Sequence, residues 1–239
     1  MNQEIAEIAG AFIGDGWIES DQDAIYITGN QLEDRDYYDN FISIIFSKYF
    51  AKVVPKNFSY WKVYGIACYK RCAIRKAIEL GFPIGQKSLT AKVPKWVLIS
   101  KDKNIIKAFV RGVFDTDGSF WCEKSNAPTS KIWRRKNNYI PQLGITSCSK
   151  ILLIQIQRLL SKLNFKTKLK QKNKEGFRHK RKIHDSFMLM IRNKQDIERW
   201  FQIIGTNNLR HKTRYKVWKK LGYLPPKTNI KSRIKMLEK

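Results

Sequence analysis

The sequence predicts an α+β protein made of two pseudo-symmetric copies of one α-β-β-α-β-β-α unit. Three observations carry this. A motif occurs twice in matching frame, the same order of apolar patterns follows each copy, and 239 residues leave room for two small cores. The motif is 8-IAGAFIGDGWI-18, and 110-VRGVFDTDGSF-120 aligns with it without a gap. Gly10 matches Gly112, Phe12 matches Phe114, Asp15 matches Asp117 and Gly16 matches Gly118, at a constant offset of 102 residues.

Each motif reads as a helix up to its acid. Small residues recur on one face, Ala6, Gly10 and Gly14 in the first copy, Ala108 and Gly112 in the second. Glycine weakens a helix by roughly 1 kcal/mol relative to alanine, so repeated glycine calls for close packing. Packed against each other, the two helices would bring Asp15 and Asp117 together. The glycine after each acid is expected to stop its helix in the left-handed conformation. Strand-like runs follow at 17–20 and 24–28, then a helical pattern over 34–50, strands over 52–56 and 59–69, and a helix over 71–80. After the second copy come strands at 119–124 and 140–146, and a helix over 149–163 with Ser149 as N-cap. Strands at 165–172 and 186–192 and a helix over 195–204 complete that unit. The repeats divide as 1–100 and 101–239, with a linker about 81–102.

Composition narrows the function. A hydrophobic content of 43% with 13% aromatic residues excludes a disordered chain. Lys and Arg number 47 against 20 Asp and Glu, a net charge of +27. Residues 1–119 hold 16 basic and 14 acidic side chains, whereas 120–239 hold 31 and 6. A cationic half of that size points to nucleic acid. No apolar run reaches transmembrane length and no signal peptide precedes the first motif, so a membrane is not expected. Cys68, Cys72, Cys122 and Cys148 read as ordinary thiols of a reducing, intracellular compartment. The spacing of Cys68 and Cys72 suits one helix face better than a zinc knuckle. Two carboxylates at the negative ends of helices are misplaced unless a cation binds there.

With both copies quoted, the chain resembles the LAGLIDADG homing endonucleases of the single-chain, two-repeat kind. The segments 8-IAGAFIGDG-16 and 110-VRGVFDTDG-118 both fit the signature, and the resemblance covers nearly the whole chain. It implies saddle-shaped antiparallel sheets straddling double-stranded DNA, packed through the two signature helices. Asp15 and Asp117 would bind Mg²⁺ over the minor groove, with the Gly14 and Thr116 carbonyls as further ligands. Two or three divalent ions are implied, with Mn²⁺ substituting and Ca²⁺ binding without supporting cleavage. One phosphodiester per strand would be hydrolysed, leaving 5′-phosphate and 3′-hydroxyl ends. Asp115, matched by Ile13, is expected to be dispensable. The family also uses a basic residue in each half, which points to Lys87 in 85-GQKSLT-90 and Lys212 in 209-LRHKTRY-215. Asn30 and Ser147, ending the second strands, are candidates for positioning water. The Met1 start and the absence of splicing-domain residues lead us to expect a free-standing, intron-type monomer.

Lys166, Lys168, Lys170 and Lys172 alternate with period two, a stripe suited to lying along DNA. The basic segment 131-KIWRRKNN-138, with Arg134 and Arg135, would extend the footprint. Base readout is expected from Glu19, Tyr26, Thr28, Lys62 and Tyr64 in the first half. In the second it falls to Glu123, Gln142, Thr146, Lys168, Lys170 and Arg192. Glu33, Asp34, Asp36 and Asp39 are expected on an outward helix face, leaving the second half to supply most salt-dependent affinity.

Other readings of FDTDGSF fare worse. A phosphatase loop needs its nucleophile where the matched copy has Ile13, and an EF-hand needs its glycine sixth, not fourth. The alternative of a different class is a DNA- or RNA-binding protein of the same fold without nuclease activity, such as an intron-splicing maturase.

Overall fold

The computed structural model describes residues 1–123, 139–178 and 181–238. In the first repeat α1 (Gln3–Asp15) leads into β1 (Gly16–Ile18) and β2 (Ile25–Asn30). Then come α2 (Arg35–Tyr37), a π-helical turn (Tyr38–Ile42) and α3 (Ser43–Tyr49), which together fill the expected helix over 34–50. β3 (Lys56–Phe58), β4 (Val63–Cys68) and α4 (Arg71–Glu79) complete the repeat, and α5 (Lys95–Leu98) lies in the connection. The second repeat runs α6 (Lys103–Asp117), β5 (Gly118–Glu123), β6 (Ile140–Ser147), α7 (Lys150–Lys162) and β7 (Lys168–Asn173). It continues with the hairpin β8 (Gly176–Arg178) and β9 (Arg181–Ile183), then β10 (Ser186–Ile191) and α8 (Lys194–Ile203). Two basic helices follow, α9 (Leu209–Leu221) and α10 (Ile230–Glu238).

The two four-stranded sheets are antiparallel and have the same spatial order, β1-β2-β4-β3 and β5-β6-β10-β7. One face of each is apolar and joins a continuous core with α1 and α6, through Ile25, Ile27 and Ile66 in one half and Leu143, Ile145 and Leu189 in the other. The glycines of the signature helices explain how closely they pack. A Cβ on Gly10 would lie 2.1 Å from the Phe109 carbonyl oxygen, and one on Gly112 would lie 2.2 Å from that of Glu7. These contacts are reciprocal, backbone against backbone, and leave no room for a side chain.

Several expectations need correction. Gly16 (φ −92°) and Gly118 (φ −83°) are extended, not left-handed. Glycine is needed there because a Cβ would come within 2.4 Å of the Phe12 ring and 2.3 Å of the Phe114 ring. The run 59–69 is a turn followed by β4, and Lys62 sits in that turn at φ +56°. The strand expected at 52–56 starts only at Lys56, and β7 starts at Lys168, so Lys166 precedes it. Helices α9 and α10 were not anticipated, because LRHKTRYKVWKKL carries little helical apolar periodicity. Arg134 and Arg135 lie outside the described residues.

Candidate active site

The C-terminal ends of α1 and α6 converge. A Cβ on Gly14 would lie 2.1 Å from Thr116 Oγ1 and 3.5 Å from Asp117 Cγ. Thr116 turns its hydroxyl back to the carbonyls of Gly112 (3.0 Å) and Val113 (3.1 Å), which tightens its own helix end. Asp15 and Asp117 end the two helices side by side, each with partial solvent access.

A cation meets each helix end. Lys87 Nζ donates to the carbonyls of Ile13 (2.8 Å) and Gly14 (2.6 Å). Arg210 Nη2 donates to those of Asp115 (3.3 Å) and Thr116 (3.2 Å). The counterpart of Lys87 is therefore Arg210, and Lys212 lies exposed on α9. Sequence spacing favours Lys212 because it shares a Lys-then-hydroxyl pattern with Lys87. The better signal is position in the fold, which becomes visible once α9 exists.

Each cation is carried by a tail that clasps the other repeat. After Lys87, the Ala91 carbonyl accepts from Ser149 Oγ (2.7 Å) and the Val93 amide donates to Gln155 (2.8 Å) on α7. Around Arg210, Asn208 Nδ2 donates to Asp34 Oδ1 (2.8 Å) while its Oδ1 caps α9, and Arg210 Nη1 pairs with Asp34 Oδ2 (3.2 Å). Arg214 and the buried Arg233 both hold Glu33. This corrects the expectation for Glu33 and Asp34, which face the clasp; Asp39 accepts from the Tyr64 hydroxyl at 2.5 Å. Asp36, which accepts from Asn40, and Asp39 are exposed, as expected.

Asp115 is fully buried, although its mismatch with Ile13 marks it as dispensable in sequence. Its carboxyl accepts from the Thr206 hydroxyl and the Asn207 amide (2.7 Å), and so anchors the second tail. Burial pushes it up to about 8. Sequence reading also misses Glu7, 2% exposed, which pairs with Arg111 across the helix interface. The available signal is a charge of each sign on otherwise small, apolar helix faces.

The electrostatics of the paired acids follow from burial and proximity. Burial, then the charges of Asp117 and Asp34, raise Asp15 to about 8 against the pull of Arg210 and Lys87. Burial raises Asp117 to about 6, with Lys87 and Arg210 opposing. Burial likewise lowers Lys87. A cavity of ≈ 250 Å³ opens beside them, lined by Gly14, Lys87, Ser88, Asp117, Thr146 and Ser147 among others. Asn30 is not turned to this site: its side-chain oxygen accepts from the Leu32 (2.9 Å) and Glu33 (3.0 Å) amides.

Register sorts the remaining candidates. In the second sheet Thr146 pairs with Met188 and Lys170 lies beyond it, while Gly144 pairs with Met190 and Lys168 lies beyond that. Arg192 donates to Gln142 (3.1 Å) and approaches Glu123 (3.9 Å), and Lys172 reaches Thr146 (3.5 Å). These residues thus share the face away from Leu143 and Ile145. In the first sheet Tyr26 and Thr28 lie on the corresponding face with Trp17, and Glu19 follows β1. Tyr64 does not: it pairs with Gly29 and is 6% exposed in the core. Because β4 starts at Val63 after the turn, the side facing Tyr26 and Thr28 belongs to Gly65 and Ala67, a one-residue slip from expectation. An aromatic cluster not foreseen covers this face, with Trp17 stacked on Tyr26 (4.5 Å) and Phe58 on Trp61 (5.7 Å).

Residues 104–205 match the LAGLIDADG-like domain family. The paired, reciprocal signature helices add the first copy. The second half of the chain is a LAGLIDADG-like domain. α1 packs on α6 as its structural counterpart, and the fold of the chain is that of solved homing endonucleases. Mesophilic variants of I-DmoI align with a TM-score of 0.54 at 12% identity, over 86% of this chain and 92% of that one. I-DmoI in complex with DNA and Mn gives 0.53 at 15% identity, over 86% and 97%. A point mutant of I-SmaMI gives 0.54 at 11% identity, over 93% and 90%. At such identities the likeness is one of fold. No helix among the described residues is long and apolar enough to cross a membrane.

Proposed function

We propose that this protein is a monomeric, site-specific double-strand DNA endonuclease of the intron-homing type, hydrolysing one phosphodiester in each strand. The observation that carries this reading is the pair of solvent-reachable carboxylates, Asp15 and Asp117, at two converging helix ends, each end met by a cation from a tail.

A divalent ion fits this donor set. Among the described residues no group of three or more His, Cys, Asp or Glu is placed to hold a metal. Two carboxylates with neighbouring carbonyls suit a hard cation such as Mg²⁺, which keeps several waters and takes other ligands from phosphate. Asp15 and Asp117 would hold it. The Gly14 and Thr116 carbonyls already accept from Lys87 and Arg210, so they are shared ligands at most. When bound, the ion supplies a water made acidic and neutralises charge on the departing oxygen. The water oxygen bonds to phosphorus, the bond from phosphorus to O3′ breaks, and O3′ takes up a proton, giving 5′-phosphate and 3′-hydroxyl ends.

The chain's own residues orient and neutralise. Lys87 and Arg210 would neutralise charge growing on the phosphate, and Thr146 and Ser147, which line the cavity with Lys87, would orient water. The sheet faces grip DNA. Lys168, Lys170 and Lys172 would contact phosphates, and Thr146, Arg192, Glu123 and Glu19 would meet base edges, while Gln142, Tyr26 and Thr28 share those faces but are buried.

The test is cleavage of random-library duplexes that the protein binds, in Mg²⁺ and in Mn²⁺, compared with Asp15→Asn and Asp117→Asn. Double-strand cuts that either substitution abolishes support the proposal. Tight, specific binding with no cut in either metal supports a binding protein of this fold instead, and cutting indifferent to both substitutions removes the site assignment.

A further inference from the structure

The outward face of the first sheet is built of different matter from that of the second. Ser119 matches Trp17 at the offset of 102, and the lysines of β7 occupy the sheet position where β3 brings Lys56 and Phe58. Trp17 stacks on Tyr26 at 4.5 Å, and Trp61 meets both rings edge to face, at 5.3 and 5.6 Å. Phe58 and Tyr69 close on Tyr26 at 5.9 and 6.2 Å. Trp61 is still 45% exposed and Tyr69 58%, while Tyr26 and Thr28 are buried. A ligand on this face therefore meets chiefly carbon.

Two features say what covers it. Residues 41–78, which supply Phe58, Trp61 and Tyr69, hold eight Lys and Arg and no Asp or Glu. Lys56, Lys62 and Lys70 are exposed next to these rings in sequence, a cationic rim suited to phosphates. A second cavity, ≈ 410 Å³, is lined by Trp17, Glu19, Lys87 and Ser88 among others, and shares Lys87 and Ser88 with the cavity beside Asp117. Open surface thus runs from the paired acids to the aromatic face, and one nucleic acid can lie on both. The rings are not free platforms for unpaired bases. Trp17 lies on Tyr26, Phe58 on Trp61, and the Lys56 ammonium sits over Phe58 (5.3 Å) and Tyr69 (5.7 Å). Rings engaged in this way form a fixed apolar surface, which suits small apolar groups on the edges of paired bases.

We infer that the first sheet recognises thymine by its C5-methyl group, so that the half of the duplex lying on Trp61 and Tyr69 is thymine-rich. This rests on the duplex-DNA part of the reading above. Among the four bases only thymine carries a methyl group on its major-groove edge, and apolar side chains read it by contact. Burying one such carbon against the rings strengthens binding about fourfold. The second sheet, with Lys168, Lys170 and Arg192 on its outward face, reads its half through charge and hydrogen bonds instead.

The experiment uses the full-length protein, without metal, and a duplex recovered by binding selection from a random library. The recovered sequences are expected to concentrate thymine in one half. Exchanging those thymines for deoxyuridine, which pairs alike but lacks the methyl, should weaken binding about fourfold for each methyl in contact. The same exchange in the other half should change affinity little. A variant with both Trp61→Ser and Tyr69→Ser, checked for folding by thermal melting, should bind the thymine and uracil duplexes equally. Uracil tolerated in both halves overturns the inference and needs no variant. So does a double variant that discriminates as well as wild type. Tighter binding of the matching single strand than of the duplex also overturns it, in favour of rings stacking on unpaired bases. A library with no selectable duplex overturns the DNA reading together with the inference. A bound duplex left uncut in Mg²⁺ overturns the nuclease reading alone, and the uracil comparison still decides the inference.

Discussion

Arg210 does at the end of α6 what Lys87 does at the end of α1. Each donates to two successive carbonyls, Asp115 and Thr116 or Ile13 and Gly14, and those pairs are 102 residues apart, the offset of the signature itself. The repeat thus extends from the helices to the cations that close them, although the cations are unlike in type and arrive on different local structure.

Replacing either cation is expected to damage cleavage far more than binding. Lys87→Met and Arg210→Met should each lower the single-turnover cleavage rate by about a hundredfold, the scale of losing one transition-state donor. Lys212→Met should leave it within about twofold, as for an exposed side chain outside the site. Quench-flow rates beside filter-binding affinities check this, and equal losses at positions 210 and 212 would remove the assignment.

The metal-free protein should lose stability as pH rises. The folded-state value of Asp15 is raised from 3.8 to about 8 and that of Asp117 to about 6. The folded state therefore binds more protons than the unfolded one from about pH 4 upward, so its stability falls toward pH 8. Asp15→Asn should flatten that slope and raise the melting temperature in EDTA at pH 8, with part of the slope remaining from Asp115. Mg²⁺ should stabilise wild type more at pH 8 than at pH 5. Melting curves across pH, with EDTA or Mg²⁺, decide it.

The helix interface should not tolerate a methyl group. Gly10→Ala and Gly112→Ala each place a carbon within 2.2 Å of a carbonyl oxygen. The helices must separate, which should cost about 3 kcal/mol or more. Gly176→Ala, with nothing within 4 Å of the added carbon, is the control and should be near neutral. Urea unfolding measures all three.

Salt dependence should be unequal between the halves. Neutralising Lys168, Lys170 and Lys172 should reduce the slope of log K against log salt by about 0.9 for each phosphate left without its lysine. The same change at Lys48, Lys52 and Lys56 should reduce it less, because the first sheet presents an aromatic face and Lys48 is already paired with Glu4 at 2.7 Å. Equal reductions would contradict this asymmetry.

The repeat, the α+β class, the helix ends at Asp15 and Asp117, and the outward face of the second sheet are all legible in the sequence. They follow from local rules: a gapless motif, period-two alternation, and glycine where backbones must touch. The rest depends on tertiary packing. Tyr64 turns inward because the strand's starting residue, set by a turn at Lys62, fixes parity along all of β4. Asp34 and Glu33 become buried partners because arginines about 180 to 200 residues away fold back onto them, which no window of sequence reports. Arg210 displaces Lys212 for the same reason. Which of two neighbouring cations reaches a helix end depends on the capping of α9 by Asn208, and Asn208 is placed by Asp34 in the other repeat.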